Sequence, residues 1–126
     1  MRLLWVCLGG AAGSGLRFLV AGWVTGLMGA EFPFGTLVVN VVGSFLLGVI
    51  MHVGLVTDLL SPTLRLALSA GFLGGFTTYS TFNYETLAYL EQGIWERALA
   101  NVAVTLGLCG LGGIAGTVMA RWMVGT

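Results

Sequence analysis

The twelve-residue segment Gly71–Phe82 (GFLGGFTTYSTF) has the composition of an ion-binding segment. It lies inside a long apolar region, yet it combines two adjacent glycines with the hydroxyl groups of Thr77, Thr78, Ser80 and Thr81. Glycine lets the backbone leave helical geometry, and non-helical backbone at membrane depth is tolerated where it is buried in protein or lines a polar cavity. Discontinuous membrane helices often present their freed carbonyl and amide groups to ions. The segment therefore predicts an ion site.

Two further lines of polar side chains recur at the four-residue spacing of one helix face. The first comprises Thr36, Asn40 and Ser44, and the second comprises Asn101, Thr105 and Cys109. One interpretation is hydrogen bonding between helices, which contributes about 1 kcal/mol per bond in a membrane. Because polar groups inside a span usually face protein or water, the two lines beside the hydroxyl-rich segment favour a polar pathway.

The available donors suit an anion, because amide and hydroxyl hydrogens both carry partial positive charge. Tyr79 and Phe82 are three residues apart, so their rings share one helix face. The edge of an aromatic ring is the positive part of its quadrupole and can also face an anion. The alternative interpretation of this pair is simple packing.

Arg17 and Glu85 are interpreted as the charged side chains inside the spans, and His52 lies near the end of the second span. We predict that Arg17 snorkels, caps carbonyl groups or attracts anions at a vestibule. We interpret Glu85 either as a carboxylate beside the aqueous mouth of the pathway or as a buried carboxyl group that binds a proton. A buried proton site is typical of a coupled transporter. We interpret the lone His52 as a structural residue.

The sequence argues against enzymatic and nucleic-acid-binding functions. It has one histidine, and its two cysteines, Cys7 and Cys109, show no metal-ligand spacing and are interpreted as packing residues. The formal net charge is zero and there is no basic cluster. We therefore expect neither catalysis nor a nucleic-acid partner.

The composition predicts an all-α integral membrane protein, because only 8% of the residues are charged, 57% are hydrophobic and the mean hydropathy is +0.98. A soluble domain carries about 25% charged residues. We predict one domain, 1–126, with spans at roughly 3–28, 34–56, 62–91 and 94–122. The third region would be about 45 Å long as one helix, which predicts a break at 74–78.

Local signals support two of these boundaries. The N-terminal apolar run passes directly into a glycine-rich stretch, so we expect it to be the first span rather than a removable signal sequence. Ser61 followed by Pro62 predicts a capped start for the third helical region.

Glycines four residues apart predict close contacts between helices, both within the chain and between copies. The pairs are Gly9/Gly13, Gly22/Gly26, Gly71/Gly75 and Gly112/Gly116. With four spans both termini share one membrane side, where Arg2, Arg65 and Arg121 oppose Arg97. The excess of arginines on the side of the termini weakly favours cytoplasmic termini, and it is small enough for the chain to insert in both orientations. An antiparallel homodimer would then supply the inverted symmetry common in transporters.

The segment Gly71–Phe82 resembles the signature of the Fluc (CrcB) family of fluoride channels. The resemblance covers the whole chain, since it includes the short length, the four spans, the Gly15-Leu-Arg17-Phe18 sequence in the first span and Asn40 in the second. It implies an antiparallel, dual-topology homodimer with two pores that exports fluoride passively across the bacterial cytoplasmic (inner) membrane and so protects the cell from fluoride.

The resemblance also implies roles for individual residues. The pore aromatics of the family fall on Tyr79 and Phe82, and its pore asparagine falls on Asn40. The neighbouring pore hydroxyls and the polar track of the fourth span fall on Ser80, Thr81, Asn101, Thr105 and Cys109. A central structural sodium ion would be held by the main-chain carbonyls of Gly74 and Thr77 from each subunit. The sequence departs from the family where Tyr79 replaces the usual phenylalanine and where Cys109 is a weaker donor than serine.

Two other functions stay open at this stage. Glu85 as a proton site would make the protein a small proton-coupled exporter dimer. The glycine-rich faces alone would fit a non-transporting assembly subunit in the lipid bilayer.

Overall fold

The computed structural model describes residues 1–125 as helices joined by short turns, with no β-strand in that range. The helices are α1 (Arg2–Met28), α2 (Phe34–Val56), α3 (Pro62–Leu66), α4 (Gly74–Phe76), α5 (Tyr79–Glu91) and α6 (Trp95–Val124), and a π-helical segment (Ala67–Leu73) joins α3 to α4. Three of them, α1, α2 and α6, are long and apolar enough to cross a membrane. The predicted all-α membrane class is confirmed at this level.

The start of α3 follows from local chemistry. The Ser61 hydroxyl oxygen accepts a hydrogen bond from the Leu64 amide at 3.1 Å, and Pro62 occupies the first helical position. Proline has no amide hydrogen, and the first amides of a helix have no partner within the helix. The predicted cap is therefore confirmed.

The extended backbone between α4 and α5 is shorter than the predicted interval 74–78. Gly74 and Gly75 are helical, and only Thr77 (φ −88°, ψ 161°) and Thr78 (φ −151°, ψ 121°) are extended. The prediction was wrong for both glycines, and at Gly75 the glycine provides close packing rather than backbone freedom. A Cβ atom at Gly75 would lie 2.6 Å from the Gly10 carbonyl oxygen of α1.

Glycine residues bring α1 close to the π-helical segment and α6 close to α2. On α1, Gly9 and Gly13 face the backbone of the π-helical segment, and Gly71 faces Val6 in return. On α6, Gly116 lies against the Phe45 carbonyl of α2. Because a side chain at these positions would collide with backbone, the small residues determine how closely the helices approach.

One predicted glycine pair has no such role within the chain. In the part of the chain that the structure describes, no heavy atom lies within 4 Å of a Cβ added at Gly22 or Gly26. The chain also has few buried apolar side chains, whereas large ones such as Phe18, Trp23 and Leu111 are well exposed. An apolar outer surface of this kind suits contact with lipid or with another copy.

Candidate ion site at the α4–α5 junction

A cleft of about 320 Å³ lies where α2 and α6 meet the extended backbone between α4 and α5. It brings together six of the residues predicted from the sequence: Asn40, Gly74, Thr77, Tyr79, Phe82 and Thr105. Ser44, Ser69, Thr78 and Cys109 add further polar groups to the lining. Among residues 1–125, none that lines the cleft carries a formal charge.

Asn40 connects α2 to the junction through both ends of its amide. Its Oδ1 accepts a hydrogen bond from the Thr78 amide at 2.8 Å, and its Nδ2 donates to the Thr78 carbonyl at 3.0 Å. A carboxamide nitrogen has two hydrogens, so this pairing leaves one donor of Asn40 for another partner. Asn40 therefore holds the extended backbone in place and still offers an N–H group in the cleft.

The pairing with Asn40 also changes the carbonyls of the junction. In a continuous helix the Thr78 amide would bond the carbonyl four residues earlier, at Gly74, but here it bonds Asn40. The Thr81 amide likewise bonds the Thr78 hydroxyl, which leaves the Thr77 carbonyl without its helical donor. Within residues 1–125 no hydrogen bond reaches either carbonyl oxygen. These two oxygens, predicted as sodium ligands, are thus free to bind a hard cation.

Arg17 lies on α1 outside the cleft and serves the end of α4. Its Nε donates to the Gly75 carbonyl at 2.9 Å. A cation at the C-terminal end of a helix satisfies an unpaired carbonyl and interacts favourably with the helix dipole. Of the roles considered from the sequence, the structure supports carbonyl capping.

The two aromatic residues differ in their surroundings. Their ring centroids are 5.9 Å apart and the rings are tilted by 56°. Phe82 is 9% exposed, whereas Tyr79 is 74% exposed. Both line the cleft, so Phe82 forms part of its buried wall and Tyr79 stands at its open side.

The first members of the two polar lines, Thr36 and Asn101, lie outside the cleft and contact side chains of α5. Asn101, only 1% exposed, donates to the Thr86 hydroxyl at 2.9 Å and accepts from Thr105 at 3.3 Å. Thr36 donates to Glu85 Oε2 at 3.1 Å, and the buried Glu85 Oε1 has no hydrogen-bond partner within residues 1–125. Thr36, Glu85, Thr86 and Asn101 therefore connect helices outside the cleft, and only Thr105 of this group also lines it.

The remaining predicted hydroxyls also lie outside the cleft. Ser80 is exposed, and the Thr81 hydroxyl pairs with the Thr78 hydroxyl at 3.1 Å. Thr86 is the residue whose importance the sequence did not indicate. The Thr86 hydroxyl donates to the Phe82 carbonyl at 2.9 Å. Because Thr86 follows Phe82 by four residues, the helical spacing from Phe82 could have indicated its importance.

Comparison with known proteins identifies the family of the chain. Residues 4–117 match the family model described as CrcB-like protein, Camphor Resistance (CrcB). The chain belongs to the CrcB family. The match includes every residue that lines the cleft and omits only the first residues of α1 and the last turns of α6 among the helices.

Relatives within the CrcB family resemble the chain over almost its full length. A protein from Sorangium cellulosum (strain So ce56), named fluoride-specific ion channel FluC, is 54% identical over 123 residues, which cover 98% of this chain and 97% of the relative. A protein of the same name from Anaeromyxobacter sp. (strain K) is 52% identical and covers 98% of both chains. A third, from Geobacter sulfurreducens, is 50% identical over 94% of this chain and 96% of its own.

Proposed function

We propose that this CrcB-family protein is a fluoride-selective channel that exports fluoride passively. The observation that carries the proposal is the cleft at the α4–α5 junction, which is lined by amide, hydroxyl and aromatic groups and by no charged side chain. The name shared by its relatives, fluoride-specific ion channel, supports the same function.

The cleft chemistry suits a small, strongly hydrated anion. A narrow route must replace the water around such an ion with other donors. The second amide hydrogen of Asn40, the hydroxyl of Ser44 and the ring edge of Phe82 are available as these donors. A carboxylate in the lining would repel the anion, and the nearest one in the sequence, Glu85, lies outside the cleft.

The functional unit we propose is an antiparallel, dual-topology homodimer with two pores, inserted as a multi-pass protein in the bacterial inner membrane. The region 62–91 would form one membrane span, interrupted at Thr77 and Thr78. The exposure of Gly74 and Tyr79 supports this arrangement, because the open side of the cleft is where a second copy would close it.

A structural sodium ion belongs to the proposal as well. The carbonyl oxygens of Gly74 and Thr77 from both subunits would hold it, and they fit because each lacks a hydrogen-bond donor within residues 1–125. When bound, the ion would supply positive charge beside the anion routes and join the two subunits.

A second candidate function is a small proton-coupled exporter dimer that uses Glu85. It is favoured by the buried, unpartnered Glu85 Oε1, since a buried carboxyl oxygen without a donor is uncommon. In that mechanism the carboxyl group would take up a proton on one side of the membrane and release it on the other.

Ion efflux from liposomes that contain only the purified protein separates these functions. A channel releases fluoride in preference to chloride, and its rate follows the fluoride gradient and the membrane potential. Release that requires an imposed proton gradient would establish the exporter, and release of neither anion would overturn both.

A further inference from the structure

Helix α1 carries one tryptophan near each end of a single apolar face. Trp5 and Trp23 are eighteen residues apart, which equals five helical turns, so both rings lie on the same side of the helix. The positions between them on that side are Leu8, Ala12, Leu16 and Leu19. All six residues are exposed, so no other part of residues 1–125 buries this surface, which we call the tryptophan face.

A different side of α1 packs inside the protein and fixes how the helix is turned. Gly9 and Gly13 lie against the backbone of the π-helical segment, and Val24 is buried. The Arg17 Nε donates to the Gly75 carbonyl on the same side. The tryptophan face is therefore held outwards by contacts on another side of the helix.

The spacing of the two tryptophans matches the thickness of a membrane. Eighteen residues of α-helix extend about 27 Å, and the hydrocarbon core of a bilayer is about 30 Å thick. Tryptophan is enriched at both membrane–water interfaces, because its ring is apolar while its N–H group needs a polar partner. Arg2 is exposed about one turn outside Trp5, where a guanidinium is able to pair with a lipid phosphate.

The other two tryptophans of the chain do not form such a pair. Trp95 and Trp122 are 27 residues apart on α6, which equals seven and a half turns, so their rings lie on opposite sides of the helix. Their separation along α6 is about 40 Å, longer than the hydrocarbon core. The match between one face and one membrane thickness is therefore a property of α1.

A second copy of the chain is the competing occupant of the tryptophan face. The residues that line the ion cleft lie on α2, the π-helical segment and the later helices, and among residues 1–125 none belongs to α1. A copy that closes the open side of the cleft thus meets a different surface. Helices approach each other closely at small residues, but Ala12 is the single small residue between the tryptophans, whereas Gly15 and Gly22 lie on the neighbouring side.

We propose that the tryptophan face is the lipid-contact surface of α1, with acyl chains against its leucines and one tryptophan ring at each membrane–water interface. Helix α1 then lies at the outside of the functional unit, and lipid rather than a second copy covers it. This inference goes beyond the proposed fluoride function and holds whichever ion passes through the cleft.

Quenching by brominated lipids tests the depth of each tryptophan. Variants retain either Trp5 or Trp23, and the other three tryptophans are replaced by phenylalanine. Each variant is reconstituted into phosphatidylcholine vesicles that carry bromine either close to the headgroup or close to the chain ends. Because bromine quenches fluorescence at short range, we expect the shallow bromine to quench both tryptophans about twofold more strongly than the deep bromine.

The matched control is Leu16→Trp in a background without the four native tryptophans. Position 16 lies on the same face near its middle, so the deep bromine should quench it more strongly than the shallow one. Circular dichroism should show all three variants helical. Weak quenching of all three by both lipids would show that protein covers the face and would overturn the proposal. Equal quenching of Trp5 and Trp23 at both depths would overturn it as well.

Disulfide cross-linking tests the competing occupant without relying on fluorescence. Leu16→Cys is introduced into a background with Cys7→Ser and Cys109→Ser, which removes both native thiols. Position 16 lies near the middle of the face, so it would meet its equivalent in an antiparallel dimer that used this face. We expect oxidation in the membrane to leave the chain as a monomer on a denaturing gel, with its thiol still reactive towards a maleimide after denaturation. A cross-linked dimer as the main product would overturn the lipid contact.

Discussion

At the residue scale, Asn40 holds the extended backbone at Thr78 and offers an N–H donor in the cleft, and one substitution tests both roles. In Asn40→Asp the donor to the Thr78 carbonyl becomes an acceptor, and a negative charge enters a cleft that otherwise has none. We expect fluoride efflux to fall by about a hundredfold, since repulsion between charges is strong at low dielectric. The unpaired Thr78 carbonyl should also lower stability by about 1–3 kcal/mol.

The matched control for this change is Asn83→Asp. Asn83 is exposed on α5 and does not line the cleft, so the same chemical change there should leave efflux near the wild-type rate. Wild-type efflux in Asn40→Asp would mean that this asparagine only packs helices.

The unequal exposure of the two aromatic residues predicts unequal effects. Phe82→Ile keeps an apolar side chain in the buried wall but removes the positive ring edge, so efflux should fall by about tenfold. Tyr79→Phe removes a hydroxyl that makes no hydrogen bond within residues 1–125, and efflux should stay within about twofold. Circular dichroism should show both variants folded. A larger loss in Tyr79→Phe than in Phe82→Ile would reverse the assigned roles.

At the scale of elements, the approach of α6 to α2 depends on Gly116. A methyl group there would collide with the Phe45 backbone, whereas Gly22 faces open space on α1. We expect Gly116→Ala to destabilise the protein by about 1–3 kcal/mol, because a packed interface cannot accept the added carbon without moving a helix. Gly22→Ala should change stability little. Thermal unfolding in detergent measures both, and equal midpoints for the two variants would contradict the packing argument.

At the scale of the whole molecule, the proposed dual topology predicts termini on both membrane faces. Arginines at the helix ends are nearly balanced between the two sides, so the positive-inside rule does not select one orientation. A tag at the C-terminus should be accessible from both faces of intact inner-membrane vesicles, in comparable amounts. Every tag on the cytoplasmic side, together with a parallel functional unit, would contradict the two-pore dimer.

The proposed sodium ion is held by both subunits, so we expect fluoride efflux through the dimer to require sodium. Replacement of sodium on both sides by a large organic cation, after long exchange, should abolish or strongly reduce fluoride efflux. Carbonyl oxygens form a hard-ligand site of limited size, which a large organic cation does not fit. Restored sodium should restore efflux. Undiminished efflux without sodium would remove the ion from the proposal.

The amino-acid sequence by itself was enough to predict the class of the protein and the segment that contains the candidate site. Hydropathy depends on composition alone, and the polar lines through Asn40 and Thr105 follow from helical spacing, which is a local property. The hydroxyl-rich segment was recognisable because strong helix formers are scarce there. The family resemblance rested on the same local features and was confirmed by the match over residues 4–117.

Only the tertiary structure decided which groups meet and which glycines pack. Asn40 pairs with Thr78 across 38 positions and Arg17 with Gly75 across 58, and contacts so distant in sequence depend on how α1 and α2 pack against the junction. The structure also places Ser80 and Thr81 outside the cleft and gives Gly74 and Gly75 helical backbone. Helical spacing places a residue on a face, but the neighbouring helix determines what that face contacts.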